Sequence, residues 1–161
     1  MEVFILVGTT TGNAQFCAEA AQMELESAGA SARVLPMDAL DDGVFEREAL
    51  FLIVCSTYGS GDVPDNARAL LNALGRRRDN LPPGTLFGVA SLGDSTFAQT
   101  FAFGGRAFEE ALLELGAERV GSPLVHDASS GEMPERPVAA WALEWWGMAR
   151  TAKAAQPRGG T

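Results

Sequence analysis

The chain is poor in cysteine, histidine, tyrosine and basic charge. Its 161 residues hold two cysteines, one histidine and one tyrosine, and 12 Lys and Arg stand against 21 Asp and Glu. Two cysteines are too few for a disulfide framework or a thiolate metal cluster. Cys17 falls in a predicted helix and Cys55 in an apolar strand, so both are read as reduced, buried thiols of a cytoplasmic protein. A formal net charge of -9 argues against nucleic acid as a partner, because phosphate backbones need a basic surface. The same charge suits docking onto basic surfaces, and solubility accounts for it equally well. Long hydrophobic runs are also missing. None approaches the roughly 18 residues of a membrane span, and residues 1–7 lack the basic start of a signal peptide.

What is present is core. Hydrophobic residues make up 47% of the chain, enough for one full domain. Apolar runs over residues 3–7, 32–37, 50–55, 86–92 and 119–125 read as five strands. Helical patterns over 13–28, 65–78, 105–115 and 137–149 separate or follow them, the last carrying Trp141, Trp145 and Trp146. Residues 38–48 read as an acidic loop with a helical turn. Alternation of apolar strands and helices predicts an α/β doubly wound parallel sheet with helices on both faces. Residues 1–150 form the domain, and 151–161 are expected to be a flexible tail. Ligands of such sheets bind beyond the carboxyl ends of the strands. The turns after strands one, three, four and five are therefore the places to look.

The first turn is Gly8-Thr9-Thr10-Thr11-Gly12-Asn13-Ala14. Its hydroxyls and the amide end of the next helix suit a phosphate held without Lys or Arg. It has neither the Gly-Lys-Ser/Thr ending of a P-loop nor a G-x-G-x-x-G pattern. Thr and Asn also cap helices, so taken alone the turn leaves both readings open. The second turn, Ser56-Thr57-Tyr58-Gly59-Ser60-Gly61-Asp62, sets one aromatic among small residues, where it can stack on a planar ring or simply pack on the surface. Asp65 there reads equally as the cap of the next helix. The third, Leu92-Gly93-Asp94-Ser95-Thr96-Phe97, supplies a second aromatic. Asp127 lies in the turn after strand five, and its neighbour His126 is read as a surface residue.

Together the three loops resemble, in order, content and distance, the FMN-binding loops of the flavodoxin family, over about residues 2–148. The finer resemblance is to short-chain, MioC-like flavodoxins and to the FMN domains of diflavin reductases, through residues 57–62 and Asp65-Asn66-Ala67. The resemblance implies a flavodoxin-like five-stranded parallel sheet of order 2-1-3-4-5. It implies that Thr9, Thr10, Thr11, Gly12 and Asn13 hold the FMN phosphate, with Ala14 next to them, and that Ser56-Thr57-Tyr58-Gly59 is the first loop on the flavin ring. Tyr58 and Phe97 would sandwich the flavin ring, while Gly59, Gly61, Leu92, Gly93 and Asp94 border it and Asp127 lines its edge. Ala14 departs from the Thr of many flavodoxins, and Phe97 replaces the usual Tyr. No catalytic or metal-ligating residue is expected. The implied role is a monomeric electron carrier between an NADPH-dependent flavoprotein reductase and acceptor enzymes that dock through basic surfaces. The FAD and NADPH modules of diflavin reductases are expected to be absent.

Three rivals remain separable. An FMN-dependent quinone or azo reductase would oxidise NADPH by itself. A flavin-free adaptor of the same fold would not bind FMN. A receiver-type signalling domain needs acidic residues after strand one and an Asp after strand three, where Gly8-Thr9 and Ser56-Thr57 stand instead.

Overall fold

The computed structural model describes residues 1–9, 12–57, 63–93, 103–127 and 130–157. Strands β1 (Glu2–Gly8), β2 (Ser31–Pro36), β3 (Ala49–Ser56) and β4 (Leu86–Gly93) alternate with helices α1 (Asn13–Ser27), α2 (Asp65–Arg76) and α3 (Phe103–Glu114). Two short strands, β5 (Glu118–Arg119) and β6 (Leu124–Asp127), precede α4 (Glu135–Ala155). Two 3₁₀ turns, Met37–Ala39 and Asp42–Glu46, occupy the acidic segment after β2. All pairings are parallel, and the sheet runs β2-β1-β3-β4-β5 with β6 also on β4.

The apolar runs follow from burial on both faces. Successive side chains of a strand point to opposite sides. Phe4 and Leu6 of β1 and Phe51, Ile53 and Cys55 of β3 join one core with Ala67, Leu70 and Leu74 of α2 and Phe108 and Leu112 of α3. Val3, Ile5, Val7, Leu50, Leu52 and Val54 join a second core with α1 and α4. In that second core the Trp145 indole lies directly on the Gly88 backbone of β4. A Cβ at Gly88 would stand 2.3 Å from Trp145 Nε1.

Two expectations are corrected. The fifth strand is not continuous over 119–125. Gly121 takes φ +70, its carbonyl accepts from Arg119 Nε at 3.0 Å, and Pro123 has no N–H to give a ladder. The strand therefore splits and re-forms at Leu124 with its register on β4 shifted by two residues, ending at Asp127. Residues 151–155 are not part of a tail, because α4 continues to Ala155. Lys153 Nζ and Gln156 Nε2 donate to the Gly84 carbonyl at 2.8 and 3.2 Å, which ties this last turn to the loop before β4.

Candidate functional site

The strands β1, β3, β4 and β6 end at Gly8, Ser56, Gly93 and Asp127, so four turns leave the sheet along one edge. At the first of them Gly12 takes φ +90, the left-handed region that glycine enters freely, and brings the chain into α1. No side chain among the described residues caps α1, so the alternative reading of this turn as a capping sequence fails for them. The amides of the first turn, from Asn13 on, have no intrahelical acceptor. Together with the helix dipole they form an anion-attracting end.

Thr9 has a structural task in the turn. Its Oγ1 accepts from the Gly12 N–H at 3.1 Å and closes the turn on itself. Its own N–H donates to Asn66 Oδ1 at 2.8 Å, and Asn66 Nδ2 donates to the Val7 carbonyl at 3.4 Å. Asn66, in the first turn of α2, thus anchors the mouth of β1 from 57 residues away. In the sequence Asn66 stands out only as part of the stretch Asp65-Asn66-Ala67. Its pairing with the Thr9 turn has no local signal. Asp65 does not cap α2 but stands exposed, 3.6 Å from Arg68.

Thr57 is braced in the same way. Its N–H donates to the Leu92 carbonyl at 2.9 Å, and its Oγ1 accepts from the Gly104 N–H at 2.8 Å. The turn after β3 is thereby held to the end of β4 and to the start of α3. Ala14 is fully buried in the core shared by α1 and α4, so only its backbone can serve a ligand. Leu92 packs in the same core and also lines the cleft described next. Thr10, Thr11, Tyr58, Gly59, Gly61, Asp94 and Phe97 lie outside the described residues.

A cleft of about 400 Å³ opens at this edge. Asn13 of α1, Ser56 and Thr57 after β3, and Leu92 and Gly93 of β4 line it together with His126. Asp127, paired with Gly93 across the ladder, stands next to that lining. His126 overturns its reading as a surface residue, being 8% exposed. Its Nε2 is buried with no hydrogen-bond partner among the described residues. Pro134 and Glu135, at the start of α4, close the far side.

The thiols are not reactive groups of this site. Burial pushes Cys55 up to about 12, and burial, with Glu135 adding to it, pushes Cys17 up to about 12. Among the described residues no group of three or more His, Cys, Asp or Glu could hold a metal ion. No described helix is long and apolar enough to cross a membrane.

The flavodoxin family profile matches residues 5–141. The chain belongs to the flavodoxin family. Flavodoxin YqcA of Escherichia coli is 36% identical over 146 residues, spanning 89% of this chain and 95% of that protein. A Pseudomonas aeruginosa flavodoxin, solved as a cysteine-to-alanine mutant, superposes with a TM-score of 0.82 at 36% identity over 93% of this chain and 99% of that one. The NADPH sulfite reductase flavoprotein alpha-component of Bacillus subtilis is 36% identical over 140 residues, covering 87% of this chain but 22% of that longer protein. This flavodoxin therefore shares its fold and its FMN cofactor with the family, and it is homologous to the FMN domain of an NADPH-dependent reductase.

The residues present fit that cofactor. The uncapped amide end of α1 suits its phosphate. A Cβ at Gly12 would meet nothing within 4 Å among the described residues. The orphaned His126 nitrogen sits at the same cleft. When bound, FMN supplies the redox chemistry, and the protein supplies binding, orientation and electrostatics.

Proposed function

We propose that this flavodoxin is a diffusible, monomeric electron carrier of the cytoplasm, taking electrons from an NADPH-dependent flavoprotein reductase and passing them singly to acceptor enzymes. The observation that carries the reading is the convergence of the uncapped α1 turn with the ends of β3 and β4 on one cleft. Backbone amides of Asn13 and Ala14 hold the FMN phosphate, joined by Thr10 and Thr11. Thr9 and Asn66 keep that turn in shape. Ser56, Thr57, Leu92 and Gly93 form the floor under the ring, with Tyr58 and Phe97 stacking on it and Gly59, Gly61, Asp94 and Asp127 along its edge. Thr57 holds the floor rigid through its bonds to Leu92 and Gly104, so that the ring meets a preorganised surface.

Carboxylates dominate the chain, and a net charge of -9 steers it toward basic docking surfaces. Such docking is brief and is screened as salt rises, the Debye length falling to about 8 Å at physiological ionic strength.

The test begins with a visible spectrum of the purified protein, with FMN added if it is colourless. A bound flavin with shifted absorption bands supports the carrier reading, and no binding at micromolar FMN defeats it. Reduction by NADPH should then require an added flavoprotein reductase and should slow with added salt. Oxidation of NADPH by the protein alone would make it an enzyme of the quinone or azo reductase kind.

A further inference from the structure

His126 is the chain's sole histidine, and its Nε2 is one of two buried side-chain nitrogens without a partner among the described residues. The other, Trp145 Nε1, lies over the β4 backbone deep in the core and faces no cavity. His126 differs because it lines the cleft. Buried polar atoms are almost always hydrogen-bonded, so an orphan at a ligand site marks the place of a missing partner.

The position of His126 is set by the sheet. Its backbone is registered against Leu92 in the β4–β6 ladder. Leu124, two residues earlier and so on the same face, packs against the core shared by α1 and α4. The imidazole therefore stands on the α1 side of the sheet, and Asn13, the first residue of α1, lines the cleft with it. The free helix amides at Asn13 and the His126 ring thus border one cleft. The turn from Gly8 to Asn13 contains no Lys or Arg, so it offers a phosphate only neutral donors. Glu132 and Glu135, which also border the cleft, offer it only repulsion.

We propose that His126 is a phosphate-binding residue of this flavodoxin, its Nε2–H donating to the phosphate ester of FMN. The proposal rests on the FMN-carrier reading. It adds a donor from β6 to a phosphate site otherwise built from the turn after β1.

Riboflavin, which has every part of FMN except the phosphate, isolates the claim. The apoprotein and its H126F and H126Q variants are titrated with FMN and with riboflavin by quenching of flavin fluorescence. Phe fills the ring's volume without a donor, and Gln restores an N–H. The H126F variant is expected to bind FMN roughly ten- to a hundredfold more weakly, as for loss of a hydrogen bond to a charged group. Its riboflavin affinity should equal that of the wild type, and H126Q should recover much of the FMN affinity. The apoprotein melting temperature of H126F should not fall, because the change removes an unsatisfied polar atom. Unchanged FMN affinity overturns the proposal, as do equal losses for both flavins or failure of H126F to fold. If the wild type itself binds no FMN, the carrier reading falls first, and the two failures are thereby distinguished.

Discussion

Replacing Gly88 by Ala tests the packing that seats α4 on the sheet. The new Cβ would lie 2.3 Å from Trp145 Nε1, 2.6 Å from Cδ1 and 2.8 Å from Cε2. Carbon contacts are most favourable at about 3.5–4.0 Å, so a rigid ring must retreat by roughly 1 Å. Trp145 has nowhere to go. It is fully buried and stacked on Trp141 with ring centroids 6.5 Å apart. Helix α4 must therefore lift, at an overpacking cost of about 2–3 kcal/mol. For a chain of this size each kcal/mol moves the melting temperature by about 2–4 °C, giving an expected fall of roughly 5–10 °C. Gly147→Ala is the internal control. It lies in the same helix, its Cβ would meet nothing within 4 Å, and removing a helical glycine should add about 1 kcal/mol. Thermal unfolding followed by circular dichroism and tryptophan fluorescence reads both variants. A Gly88→Ala protein that melts at or above the wild type would refute the argument. So would full additivity of Gly88→Ala with Trp145→Leu, since residues in contact must couple.

The buried thiols predict a pH dependence. Both are raised from 9.0 to about 12 in the folded protein, so they favour the fold fully below pH 9, and that stability is lost as the pH climbs through the window from 9 to 12. A thiol reagent at pH 8 should leave the native protein unmodified and should label both cysteines in denaturant. Asn66→Ala strands the Thr9 N–H and should cost about 1–3 kcal/mol, with weaker FMN binding measured by fluorescence titration. Arg77 bonds Asp42 at 2.9 Å and Glu46 at 2.8 Å, joining the end of α2 to the 3₁₀ turn after β2. Arg77→Met keeps the buried stem and should lower stability by about 1–2 kcal/mol in denaturant unfolding. A difference between variant and wild type that shrinks at high salt would confirm that the pair acts by charge.

Much of the architecture was legible in the linear chain because both faces of the sheet are buried. Continuous apolar runs such as residues 50–55 can be satisfied only between two helical layers. The flavodoxin-like sheet and the turns at its edge follow from that pattern and from the motifs at residues 8–14, 56–62 and 92–97. The sequence by itself therefore determined the fold class, the family and the edge of the sheet proposed to take the cofactor.

The tertiary structure decided what depends on distant partners. That the Thr9 N–H is held by Asn66 was decided by the packing of α2 against the mouth of β1. Whether Ala14 faces a ligand or the core was decided by the packing of α1 on α4. The last turn of α4 reads as a polar tail until the Gly84 carbonyl is seen to hold Lys153 and Gln156. His126 reads as exposed because a lone polar residue beside an acid and small residues gives no periodic signal. Only the ladder with Leu92 turns its ring inward. Local pattern carries the periodicity of burial, whereas the pairing of one polar atom with another is a fact of three-dimensional proximity that no window of neighbouring residues contains.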